Sequence, residues 1–324
     1  MQQTNNKVEQ GNKAHEEIPG NPSTATSSSQ SLNDLSNGKP LRVLSEDDWR
    51  FWMQNGYIVI KNAVSKEQAR RTADFLWEFD EKSPTDSSTW YAPPRAEMKM
   101  KELTGTGMVE VYNHQHLWNN RQTQRVYDAF VDVWGTEELW VTIDRANLNF
   151  PLPVGVEKKG FIHWDYDPET KPQNVQGVLA LADQDDENMG GFQCIPWLYR
   201  NYDTWKLTQP EDRDRFQPSL EGLEDKIVKV KMEAGDLLIF NSTEPHGIRP
   251  NKSKDKVRIA QYISMMPAEP ENEVLKNWRI NSWKNRIAPE GYAFPGDPRN
   301  WEKTKYDTAE LTDLGKKLLG LNDW

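Results

Sequence analysis

The sequence predicts a mainly β protein with flanking helices: a double-stranded β-helix (jelly roll) with N-terminal helices packed on one sheet. Two observations carry this. Short apolar or alternating runs separated by turn residues recur at 175–182, 191–195, 227–232, 237–240 and 257–265, the pattern of an antiparallel double sheet. Upstream, apolar residues instead recur at helical spacing behind serine caps.

Residues 1–40 are rich in Gln, Asn, Ser and Thr. Such a segment buries too little surface to offset its ordering entropy, so it reads as a disordered tail. Ser45 and Asp48 form a capping-box start for a helix carrying Trp49, Phe51 and Trp52. Asn55-Gly56 ends it, and 57–60 is a strand. Ser65 and Gln68 open a second helix with Ala69, Ala73 and Leu76 on one face. Ala92-Pro93-Pro94 marks a loop, a helix follows near 122–134, and a strand is predicted over 140–150. An acidic, proline-containing insert at about 200–225 reads as a lid over the site mouth. The segment 268–324 is Trp-rich, with Trp278, Trp283 and Trp301, and ends in a predicted helix over 308–319. Residues 41–324 are expected to form a single domain.

The chain of 324 residues is 36% hydrophobic with 14 tryptophans, enough for a sizeable core despite a mean hydropathy of -0.88. No run approaches the roughly 18 apolar residues of a membrane helix, and the N-terminus lacks a secretory pattern. The single cysteine, Cys194, rules out an intramolecular disulfide and fits a reducing compartment. A cytoplasmic protein is expected. A net charge of -10 argues against a nucleic-acid partner, which would want a basic face.

The chemistry-bearing segment is Gly160-Phe161-Ile162-His163-Trp164-Asp165. On a strand, His163 and Asp165 would share a face and reach one cation. Of the five histidines, His15 lies in the polar tail and His114 and His116 lie upstream, leaving His246 as the third ligand. Two histidines and a carboxylate on one side of a metal suit non-haem Fe(II), with open positions opposite. Arg258 opens the alternating run 257–265, sharing a face with Ala260, Tyr262 and Ser264. A guanidinium buried there needs an anion: either the distal carboxylate of 2-oxoglutarate, bound bidentately, or one of the chain's own acids. Arg145, Asn147 and Asn149 alternate with apolar residues. If that polar face looks into the cavity, Asn147 contacts the cosubstrate and Arg145 pairs with a substrate anion; otherwise it is a solvated outer face.

Several of these segments, in order, resemble the phytanoyl-CoA dioxygenase-like branch of the Fe(II)/2-oxoglutarate oxygenases. They are Leu44-Ser45-Glu46 through Ile60, His163-Trp164-Asp165, the turn from Asp186 through Gly190-Gly191 to Ile195-Pro196, Ala234 to Phe240 with Pro245-His246-Gly247, and Asn251 to Arg258. The resemblance covers about residues 44–267. Two positions depart from it: Trp197-Leu198-Tyr199-Arg200 has no histidine after the Ile-Pro turn, and Ile248 stands where a small hydroxyl residue is usual.

The resemblance implies a 2-oxoglutarate-dependent dioxygenase using Fe(II), 2-oxoglutarate and O₂. His163, Asp165 and His246 would be the metal-binding and catalytic residues, and Arg258 would hold the cosubstrate. The reaction would oxidise a C–H bond of a small-molecule substrate and release succinate and CO₂. Asp165 argues for hydroxylation, desaturation or ring formation over halogenation, since related halogenases carry a small residue there. The competing readings are a non-catalytic metal-binding or sensor protein on the same fold, and a cupin-like protein without a keto-acid cosubstrate. Trp278, Trp283, Tyr292 and Phe294 either line the substrate pocket or simply pack the core.

Overall fold

The computed structural model describes residues 28–98, 105–158, 160–289 and 294–324. Helix α1 (Glu46–Asn55) begins as its sequence dictates. The Ser45 hydroxyl accepts from the Asp48 N–H at 3.1 Å, and the Asp48 carboxylate accepts in return from the Ser45 N–H at 3.0 Å. Gly56, at φ 69°, ends it in the left-handed region that favours glycine. Strand β1 (Tyr57–Ile60) follows, then α2 (Lys66–Phe79), β2 (Met108–Val109), α3 (Gln115–Arg121) and α4 (Gln124–Trp134).

Among the described residues the strands sort into three sheets. A six-stranded antiparallel sheet has the order β1-β8-β5-β10-β4-β2, with β4 (Ala146–Asn149), β5 (Val175–Ala180), β8 (Leu237–Asn241) and β10 (Arg258–Tyr262). A three-stranded sheet, β7-β6-β9, holds β6 (Met189–Cys194), β7 (Val228–Lys229) and β9 (His246–Asn251). Strands β3 (Leu139–Val141) and β11 (Met265–Pro267) pair separately. This is the expected jelly-roll arrangement, although the sheets do not close into a barrel. Between the two larger sheets lies an inner core of Val178, Ala180, Leu238, Phe240 and Ala260 against Phe192, Cys194, Val230 and Met232. Outside the six-stranded sheet, Leu148, Leu179, Leu237 and Ile259 join the main core built with the helices, including Trp52, Leu76, Trp118 and Trp134.

Several predicted boundaries change. The single strand expected over 140–150 is two, β3 and β4, in different sheets. The run 257–265 likewise splits into β10 and β11. At the first break the adjacent polar residues Asp144-Arg145 interrupt the alternation, while at the second it continues through Ile263-Ser264; the chain changes sheet at both. The strand expected over 227–232 is reduced to β7, with an isolated bridge between Gln184 and Met232. Residues 1–27 of the predicted tail lie outside the described residues, but 28–40 are anchored. Asn33 donates from its backbone N–H to Val133 O at 2.9 Å and from Nδ2 to Asp132 O at 2.7 Å, and Asn37 Nδ2 donates to Gly135 O at 3.1 Å. These amides satisfy carbonyls that the end of α4 leaves open.

The predicted lid starts as a helix, α5 (Pro196–Trp205), then runs as a loop pinned beside the metal motif. Trp164 N–H donates to Phe216 O at 2.8 Å, and Arg215 reaches Asp167 at 3.2 Å. The C-terminal segment forms α6 (Glu273–Asn285), α7 (Trp301–Lys305) and α8 (Asp313–Leu319), so the last helix starts later than the predicted 308. Trp278, Trp283 and Trp301 pack against the main core, and Trp283 Nε1 donates to Ala309 O at 2.9 Å. Phe294 is buried in that same core. Tyr292 lies outside the described residues.

Candidate metal centre

His163 and Asp165 do not sit on a regular strand, contrary to the expectation. His163 instead forms an isolated antiparallel bridge with His246, through N–H···O bonds of 2.8 and 2.9 Å. Gly247 makes this approach possible: a Cβ there would lie 1.9 Å from the Phe161 carbonyl oxygen. The backbone of the motif thus lies directly on the first residues of β9, and three ligands from two distant parts of the chain converge. One ligand atom from each of His163, Asp165 and His246 lies within 4.8 Å of the other two.

The surroundings prepare these groups to bind a cation. Burial alone would raise the Asp165 carboxyl, but the imidazoles of His246 and His163 and the Gln176 amide outweigh it and hold the group well below its ordinary value. Asp165 is therefore an anion at neutral pH. Burial pushes His246 down to about 4, so its ring is neutral. His246 Nδ1 lies 3.0 Å from the Glu244 carbonyl, which can only accept; Nδ1 therefore carries the proton and Nε2 is free to ligate. Phe240 and Phe192 pack on the His246 ring, with centroids 4.4 and 5.7 Å away. Gln176 on β5, which the sequence did not single out, donates from Nε2 to Asp165 Oδ2.

Sheet register places the other candidates. Val178 of β5 lies opposite Tyr262 of β10. Ala180 lies opposite Ala260, Ala260 opposite Asn147, and Arg258 opposite Asn149. Asn147 therefore shares the inner face with Ala180 and Ala260, both in or beside the inner core. Arg258 is buried, with no acid of this chain within ion-pair reach among the described residues. Its Nη1 donates to Asn147 Oδ1 at 3.0 Å, its Nε lies 3.4 Å from Gln184 Oε1, and its Nη2 has no partner. Asn147 is committed: its Oδ1 takes Arg258 and its Nδ2 donates to Thr106 O at 3.0 Å. The structure thus gives it a place behind Arg258 rather than a free amide facing a cosubstrate.

Arg145 is likewise engaged, 3.6 Å from Glu110 and 3.7 Å from Asp144, with its guanidinium 4.1 Å over the Phe294 ring. His114 caps α3 and stacks on Phe75 at 3.6 Å. Burial pushes its ring down to about 3, and it is a packing residue. A surface cavity of about 380 Å³ lined by Pro168, Lys171, Tyr199, Arg200 and Asn241 includes none of the triad. The donor set decides the site, and cavity size does not.

Residues 52–260 match the phytanoyl-CoA dioxygenase (PhyH) family. The chain belongs to that family. Its members use Fe(II), 2-oxoglutarate and O₂, and the His-Asp-His donor set here fits the iron. It is 29% identical over 246 residues to the Ava biosynthesis cluster protein O of Aspergillus versicolor, covering 68% of this chain and 77% of that one. It is 24% identical over 319 residues to a Dictyostelium discoideum protein named for phytanoyl-CoA dioxygenase, covering 85% and 86% of the two chains. A crystal structure of the Candida albicans GlcNAc-inducible protein GIG2 superposes with a TM-score of 0.62 at 14% identity, covering 87% of this chain and 77% of that one. A hypothetical protein of Escherichia coli gives 0.60 at 17% identity, covering 88% and 87%. At these identities the structural likenesses show the fold alone. Among the described residues no helix is long and apolar enough to cross a membrane.

Proposed function

We propose that this chain is an Fe(II)- and 2-oxoglutarate-dependent dioxygenase that oxidises a C–H bond of a small molecule and releases succinate and CO₂. His163, Asp165 and His246 hold the metal, Arg258 binds the distal carboxylate of the cosubstrate, and Asn147 orients Arg258. The observation that carries the reading is the convergence of the three ligand atoms within 4.8 Å, supported by a buried Arg258 whose Nη2 has no partner. Iron with its cosubstrate and O₂ supplies the oxidising chemistry. The chain supplies placement: Gln176 aims Asp165, the Glu244 carbonyl sets the His246 tautomer, and Phe192 and Phe240 keep water from the distal histidine.

Residues 41–324 act as one domain in this reading, and the protein is cytoplasmic. The substrate is a free small molecule and not an acyl-CoA. The chain carries a net charge of -10, which disfavours a polyanionic thioester, and its Aspergillus relative is named for a biosynthesis cluster. The test is anaerobic loading with Fe(II), then 2-oxoglutarate, O₂ and a compound library, with succinate measured by mass spectrometry. Succinate should form stoichiometrically with oxidised product and vanish in His163→Ala and His246→Ala. Metal binding without succinate from any mixture would favour the non-catalytic reading instead.

A further inference from the structure

Among the described residues, Arg249 is a buried cation that neither the triad nor the proposed cosubstrate contact uses. It lies on β9, three residues beyond His246, and is 4% exposed. Its Nη1 donates to Phe192 O at 2.5 Å, and its Nε has no partner. No acid of this chain lies within ion-pair reach among the described residues. Burial, and then the charge of Arg258, pull it down to about 10. Two buried guanidiniums within each other's field and without an acid between them are costly.

Other buried arginines of this protein resolve that cost differently. Arg279 donates to the carbonyls of Leu319, Val141 and Leu318 and lies over the Trp140 ring. Arg121 donates to two carbonyls in the field of Asp144 and Glu302. Arg249 has one carbonyl, the field of Glu187 without an ion pair to it, and another cation.

The backbone beside it is a pair of glycines packed close against the same polar groups. Gly190 and Gly191 lie at φ 85° and 101°, conformations that disfavour a side chain. A Cβ on Gly191 would fall 2.9 Å from Arg249 Nη2 and 3.2 Å from Gln184 Oε1, and one on Gly190 would fall 2.9 Å from Asn149 Oδ1. Gln184 also accepts from Arg258, and its own Nε2 is unpartnered, as is Asn149 Oδ1. The glycine pair therefore borders one polar cluster that includes both guanidiniums. Arg258 commits its Nε and one N–H of Nη1 to Gln184 and Asn147, which leaves Nη2 and the second N–H of Nη1 for an anion. A carboxylate has lone pairs left over for a second donor.

We propose that Arg249 is a second guanidinium of the cosubstrate pocket, and that Arg249 and Arg258 together grip the distal carboxylate of 2-oxoglutarate. This rests on the cosubstrate reading above. It makes Arg249 a binding residue whose charge destabilises the empty protein and is compensated when the dianion enters.

The test is binding, not turnover. Anaerobic Fe(II)-loaded wild type, Arg249→Gln, Arg249→Lys and Arg258→Gln are titrated by calorimetry with 2-oxoglutarate and with 2-oxovalerate, which lacks the distal carboxylate. Arg249→Gln should weaken 2-oxoglutarate by at least about tenfold and leave 2-oxovalerate within about twofold. Arg249→Lys, which keeps the charge, should fall between. The apo melting temperature of Arg249→Gln should stay level or rise, while its gain on adding 2-oxoglutarate shrinks. Unchanged 2-oxoglutarate affinity in Arg249→Gln, with loss in Arg258→Gln, would overturn the second guanidinium and leave the first. Wild type binding both acids equally would overturn the cosubstrate reading, and this inference with it.

Discussion

Replacing Gln176 with leucine tests how the metal centre is held. Gln176 projects from β5 and donates from Nε2 to Asp165 Oδ2, while Asp165 Oδ1 lies 3.1 Å from His163 Nε2. Leucine has nearly the same volume and no donor, so it frees one carboxylate oxygen without opening a large void. A hydrogen bond to a charged group contributes about 1.5–3 kcal/mol. Loss of an outer partner of a ligating carboxylate typically costs about 10–100-fold in metal affinity, equivalent to roughly 1.4–2.7 kcal/mol. The two ranges overlap, so Fe(II) affinity should fall by about one to two decades. Fold stability should move little, because the Asp165 side chain is 34% exposed and the inner core around Val178 is untouched. Anaerobic calorimetry with Fe(II), or Co(II) absorbance as a surrogate, gives the affinity, and circular dichroism melting gives the stability. An affinity within twofold of wild type in a folded variant would refute the assignment of Gln176 as the group that orients Asp165.

Two further outcomes are expected. Burial pushes Glu302 up to about 7 from an ordinary 4.5, so its contribution to stability is fully present below about pH 4.5 and is lost as pH rises through about 7, by at most roughly 3 kcal/mol; urea midpoints at pH 5 and pH 8 should converge in Glu302→Gln, and an unchanged pH slope would refute this. Trp283→Phe removes the Nε1 donor to Ala309 O and should cost about 1 kcal/mol of stability with an unaltered substrate range; a shifted range at constant stability would mean that Trp283 lines the pocket.

The fold class was legible because alternation is a local record of burial. Arg258 to Tyr262 shows in its own residues which side is polar, and the unbroken apolar run Leu237 to Phe240 shows a strand buried on both faces. The cap at Ser45-Asp48 and the stop at Gly56 are equally local, since both act on backbone groups within one turn. The three residues brought together as a metal triad were also readable, because so few histidines were available. What failed was the step from alternation to geometry. His163 and Asp165 looked like a strand pair, yet they converge by lying on β9, where Gly247 leaves room. The run 140–150 reads as one strand, yet it breaks at Asp144-Arg145 and crosses from one sheet to another.

The sequence by itself determined the element types, their order and the residue types of the metal centre, because propensity, capping and donor chemistry depend on neighbours a few positions away. The tertiary structure alone decided which polar groups meet. Asn147 stands behind Arg258 because β4 and β10 pair in the register that sets Ala260 opposite Asn147. Gln176 reaches Asp165, and Arg249 shares a cluster with Arg258, through contacts between elements far apart in the chain. Such pairings follow from sheet register and from close backbone approach at glycines. A shift of one residue would turn every one of those side chains to the opposite face.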